Sequence, residues 1–102
     1  MIALLRTTCA SEERAAALAR QMVEEKLAAC ATLEPVRSIY RWQHQIEDEA
    51  EVAVTFKTAT DRAATLRTRI AALHDYQLPV IEGWQLDVGG DAEAWVRDAT
   101  AF

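Results

Sequence analysis

The chain is short of the residues that mark several common specialisations. Its 102 residues include two cysteines, Cys9 and Cys30. They form no CxxC pair and no zinc-type ligand set, which excludes a disulfide-stapled scaffold and a structural zinc module. Three glycines, Gly83, Gly89 and Gly90, provide no glycine-rich loop to cradle a phosphate. With two prolines and no low-complexity stretch, no linker or internal boundary appears, and residues 1–102 read as one domain. Basic residues number 11 against 16 acidic ones, a formal charge of −5, which argues against a nucleic-acid footprint. Arg62, Arg67 and Arg69 read as the solvated face of a helix. No apolar run approaches the roughly 20 residues needed to cross a bilayer. Met1–Arg6 lacks a basic leader followed by a long apolar stretch, so a cytoplasmic protein with reduced thiols is expected. What is present is ordinary for a globular domain, at 51% apolar and 26% charged.

Periodicity organises the rest. Residues 2–7 read as a short buried strand. Ser11 is placed as an N-cap with Glu12 and Glu13 in the first turn, opening a helix that runs to about Leu27. From Ala29 to Gln43 the pattern becomes β. Val36, Ser38, Tyr40 and Trp42 share one face, and Arg37, Ile39 and Arg41 the other. Pro35 demands a kink or an edge position. A second run, Gln45–Lys57, follows a tight turn at Gln43-His44, which makes a long β-hairpin. Thr58 or Thr60 is available to cap a second helix, in which Ala63, Leu66, Ile70 and Leu73 mark one face and which stops near His74. Residues 80–88 read as a last strand. Gly89-Gly90 break the chain, and Asp91 caps a short helix over residues 92–100. The order β-α-β-β-α-β-α predicts an α+β, ferredoxin-like split βαβ domain with an antiparallel sheet and both main helices on one face.

The hairpin is where assembly enters. Arms of about 13 residues span roughly 40 Å, well beyond the usual strand length. A ribbon that long, carrying Ile39, Tyr40, Trp42 and Ile46, exposes apolar surface and unpaired edges. Pairing with sister subunits in closed rotational symmetry removes both. The competing expectation is a shorter hairpin packed on its own domain. The acidic stretch Glu47–Glu51 reads as a solvated ribbon tip, or as a weak cation-attracting patch.

Three blocks carry a resemblance. They are Glu25-Lys26-Leu27-Ala28-Ala29-Cys30, then Pro35-Val36-Arg37-Ser38-Ile39-Tyr40-Arg41-Trp42 with Ile46-Glu47, then His74-Asp75-Tyr76-Gln77-Leu78-Pro79. Together with Lys57-Thr58 they resemble the signature of the divalent-cation-tolerance (CutA) family across nearly the whole chain. The resemblance implies a ferredoxin-like homotrimer joined through its hairpins and associated with tolerance to copper and other divalent cations, with no enzyme activity. It also implies an architecture like that of the trimeric nitrogen-regulatory (PII) signalling proteins. The sequence departs from the family pattern at Asp75 (a proline), Val80 (a glutamate), His44 (a turn glycine) and the loosely matched Ala94-Trp95-Val96.

Two constellations are candidates for chemistry. Cys30, His74 and Cys9 are the candidate ligands for copper or zinc, with Glu82 and Asp75 as supplements, and no cofactor is obligatory. For Cys30 the alternative is a small core residue. For His74 it is an imidazolium at a helix C-terminus. Cys9 is expected in an exposed strand-to-helix loop near a helix N-terminus, which makes it the more reactive thiol. Tyr40, Trp42, Lys57 and Tyr76 form the second set, a groove between subunits for a small anion or partner protein, or else interface packing. Trp84 and Trp95 are assigned to core or interface. No nucleophile–base pair is visible. An acyl-phosphate hydrolase on this sheet would depend on Arg6 alone.

Overall fold

The computed structural model describes residues 1–101. Strand β1 (Ile2–Cys9) leads to helix α1 (Glu12–Glu24), then to β2 (Cys30–Trp42) and β3 (Gln45–Thr58). A 3₁₀ turn over Thr60–Arg62 enters α2 (Ala63–Leu73), followed by β4 (Glu82–Leu86) and α3 (Gly90–Ala99). The sheet order is β2-β3-β1-β4 with every neighbouring pair antiparallel. Strands β1 and β2 therefore run parallel with β3 inserted between them, the split βαβ arrangement that the element order predicts.

Alternation divides the sheet. One face carries Leu5, Cys9, Val54 and Phe56, which pack with Ala15, Leu18, Met22, Leu66 and Ile70 of α1 and α2 into the main core. On the other face Ile2 packs with Ala29 and Val96 of α3 at one end, and Leu4, Glu51 and Ala53 are also buried. Elsewhere on that face Thr32, Glu34, Glu82 and Trp84 are exposed.

Local chemistry sets the element ends. Ser11 Oγ accepts the Arg14 amide (3.2 Å), the cap expected of it. Helix α1 stops at Glu24, short of Leu27, because Lys26 turns left-handed (φ 60°). The Lys26 amide donates to the Val23 carbonyl and the Leu27 amide to the Met22 carbonyl, both at 3.0 Å, while Met22 and Leu27 meet in the core. This is a Schellman closure with lysine where glycine is usual. Neither Thr58 nor Thr60 caps α2. The 3₁₀ turn supplies its entry instead, and Ala59 precedes that turn without a side-chain cap. Gly89, not Asp91, precedes α3, and Asp91 lies in its first turn. Strand β4 is also shorter than expected, pairing with β1 only from Glu82 to Leu86.

The hairpin is as long as the sequence predicts. The β2–β3 register runs from Cys30 opposite Lys57 to Trp42 opposite Gln45. Strand β1 reaches only to Val52, so the last seven β2–β3 pairs, Val36 opposite Glu51 onward, form a two-stranded ribbon roughly 24 Å long. Pro35 sits on β2, an edge strand, where its missing N–H is tolerated. Gln43 and His44 make the turn, both at positive φ (49° and 69°). The ribbon stretches the molecule to 45 × 24 × 21 Å. Ile39 and Ile46 are 65% and 61% exposed along it.

Candidate functional site

The segment between α2 and β4 is held against β1 by His74, which ends α2. The imidazole is almost fully buried, and both nitrogens are engaged. Nδ1 accepts the Tyr76 amide at 3.2 Å. Nε2 lies 3.0 Å from the Thr8 carbonyl and 3.1 Å from Thr7 Oγ1. A carbonyl only accepts, so Nε2 carries the proton and the ring is the neutral tautomer. The Thr7 hydroxyl in turn donates to the Val80 carbonyl at 2.8 Å. His74 is thus a strut joining α2, β1 and the 74–80 segment. The imidazolium expected at the helix end is replaced by this neutral ring, and a metal would have to break one of its two hydrogen bonds.

Cys9 is the last residue of β1, not a loop residue. It pairs with Val52 and is 3% exposed. Burial, then the negative field of Asp75 and Glu51, pushes its thiol above the ordinary range. The expectation of an exposed, activated Cys9 is therefore overturned, because β1 continues two residues past Thr7. Cys9 and His74 do share a small recess of about 150 Å³ with Arg14 and Asp75. Asp75 is held there by Arg14 at 3.1 Å. Cys30 lies elsewhere, opposite Lys57 and five residues along β3 from Cys9's partner Val52, roughly 17 Å away. Glu82 is on β4 opposite Arg6. Among the described residues no three His, Cys, Asp or Glu side chains are grouped to hold a metal ion.

The second constellation is largely assembled. Tyr40, Trp42 and Tyr76 line one groove of about 480 Å³ between the ribbon and the 74–80 segment, together with Thr8, Arg41 and Val80. Lys57 is not part of it. The register places Lys57 opposite Cys30, ten residues down β2 from Tyr40. Its place is taken by carboxylates. The Tyr76 hydroxyl donates to Glu51 Oε2 (2.5 Å), and the Tyr40 hydroxyl donates to Glu49. Hydrogen bonding to Glu49, with desolvation and the surrounding negative charge, pushes the Tyr40 phenol up to about 12. Burial first, then the Glu51 contact, raises the Tyr76 phenol as well.

Glu49 and Glu51 are the residues that sequence reasoning missed. Assigned to a solvated tip, Glu51 instead lies opposite Val36 at the base of the ribbon and is 7% exposed. The signal was available, since alternation puts Glu47, Glu49 and Glu51 on one face of β3, the face Tyr40 and Trp42 share. Trp84 and Trp95 are 45% and 51% exposed, which removes them from the core. Arg6 pairs with Glu34 at 3.6 Å.

Comparison with known proteins agrees with this arrangement. The family described as CutA1 divalent ion tolerance protein matches residues 3–99. The divalent-cation tolerance protein CutA of Thermus thermophilus is 38% identical over 95 residues, covering 91% of this chain and 92% of its own length. The crystal structure of CutA1 from Pyrococcus horikoshii superposes with a TM-score of 0.94 at 32% identity, over 98% of this chain and 99% of that one. A structure from Archaeoglobus fulgidus, described as a periplasmic divalent cation tolerance protein CutA, gives 0.94 at 29% identity, over 99% and 100%. The chain belongs to the CutA divalent-ion tolerance family.

Proposed function

We propose that the protein works as a homotrimer in divalent-cation tolerance, meeting copper or other divalent ions weakly and catalysing no reaction. The observation that carries this reading is the acidic face of the ribbon, where Glu47, Glu49 and Glu51 alternate along β3 without a grouped set of three donors. Such an arrangement attracts cations by field rather than by a dedicated ligand cage. The exposed sheet face around Trp84 and the seven unsupported ribbon pairs favour assembly with sister copies of the chain. Both thiols are unpaired, in keeping with a cytoplasmic protein, and cell fractionation checks that compartment. The alternative of a PII-like scaffold holding a small anion has less support, because the groove is lined by Glu49 and Glu51 and lacks Lys57.

Titration of Cu(II) and Zn(II) into the purified protein tests the reading. The expected result is binding near the millimolar range, weakened by added salt and unaffected by Cys30→Ala. Micromolar or tighter binding that is abolished by Cys30→Ala or His74→Ala contradicts it and restores a dedicated thiol–imidazole site.

A further inference from the structure

Glu51 presents a physical problem that the tolerance reading leaves unsolved. Its side chain is 7% exposed, and among the described residues it makes no ion pair. One oxygen accepts the Tyr76 hydroxyl, and the other has no donor among those residues. That second oxygen is not sealed from the groove, and a carboxylate so little exposed gains from a cation beside it. The groove it lines is walled by the rings of Tyr40, Trp42 and Tyr76 and by the apolar Leu78 and Val80. Its volume of about 480 Å³ is that of a small-molecule site.

The geometry points to this groove as a binding site for an organic cation, an ammonium or guanidinium group on an apolar body, with Glu51 as its counter-ion. The walls decide between cation types. Aromatic faces attract an organic cation through their quadrupoles and bury its apolar body. A bare divalent ion wants about six or more oxygen ligands, whereas Glu49 and Glu51 each already have an oxygen engaged by a tyrosine. Arg41 lines the same groove from the tip side, opposite Ile46 and five residues along β3 from Glu51. Alternation turns the Arg41 side chain to the opposite face of the ribbon from Tyr40 and Trp42, which leaves the carboxylates of β3 as the charged groups of the ribbon on the aromatic face. This inference goes beyond the tolerance reading and does not require it.

Isothermal titration of the full chain with three benzene-ring probes of similar size and different charge tests it: benzylammonium, benzyl alcohol and benzoate. Benzylammonium is expected to bind saturably and about tenfold or more tightly than the other two, with Glu51→Gln removing that advantage. The comparison among probes uses the unmodified protein, so it stands even if Glu51→Gln folds poorly. Tyr76→Ala, which removes a ring from the wall, is expected to weaken all three. Equal or tighter binding of benzyl alcohol or benzoate overturns the assignment, as does benzylammonium binding that Glu51→Gln leaves intact. Saturable Zn(II) binding sensitive to Glu51→Gln, with no response to benzylammonium, also overturns it while leaving the tolerance reading in place. No response to any probe from a trimer means a neighbouring subunit fills the groove, and the assignment fails. Benzylammonium binding to a species that sediments as a monomer keeps the site and removes the trimer.

Discussion

At the scale of single residues, Lys26 and His44 occupy left-handed backbone positions that L side chains resist. Lys26 closes α1 and His44 completes the ribbon turn, both at positive φ. Each conformation costs about 1 kcal/mol relative to glycine. Lys26→Gly and His44→Gly are therefore each expected to raise unfolding stability by about 1 kcal/mol in urea denaturation, offset in part by glycine's greater freedom when unfolded. The thiols give a second check. Iodoacetamide at neutral pH should label Cys30 in the native protein and reach Cys9 only on unfolding, since Cys9 is buried and its thiol is raised. Cys9 also shows why sequence reading misplaced a residue: the partner that extends β1 to it is Val52, on a strand far along the chain. Ser11, whose capping partner lies three residues away, was legible because both halves of the contact are local.

At the scale of elements, two cross-links position the site. His74 ties the end of α2 to β1 and brings Tyr76 onto Glu51. His74→Ala leaves the Tyr76 amide and the Thr8 carbonyl without their partner and is expected to destabilise the fold by about 1–3 kcal/mol. Amide exchange over residues 75–80 should accelerate more than exchange in α1. The second link joins the helices, where Arg69 makes two hydrogen bonds to Glu25, at 2.9 and 3.0 Å. These bonds, followed by the one from Gln21, hold the Glu25 carboxyl down at about 2 against an ordinary 4.5. A carboxyl lowered by folding stabilises the native state above its unfolded value and loses that contribution as pH falls through its folded value. Stability should therefore decline between pH 4.5 and about 2, and Arg69→Ala should flatten that decline in thermal melts taken across the range. The helix faces and the hairpin were readable from periodicity, but neither link was, because each joins residues more than 40 positions apart. Lys57 is a different case. The turn at Gln43-His44 already fixes it opposite Cys30, roughly 33 Å from Tyr40 along the strand, so its exclusion from the groove was implicit in the hairpin register.

At the scale of the whole molecule, the central fact is apolar surface that the single chain leaves uncovered. The radius of gyration is 14.1 Å, above the roughly 13 Å of a compact chain of this length. The excess belongs to the ribbon, whose Ile39, Tyr40 and Ile46 remain exposed, while Trp84 stands on the open sheet face. Isolated two-stranded ribbons are marginal in water, so seven unsupported pairs call for a neighbour. The aromatic and acidic side chains of the groove lie at the base of that ribbon, so the proposed assembly and the proposed ligand site involve one region. Sedimentation equilibrium at micromolar concentration tests this most directly. The account predicts a single species of three times the 11.4 kDa chain mass, and a species at the mass of one chain would contradict it.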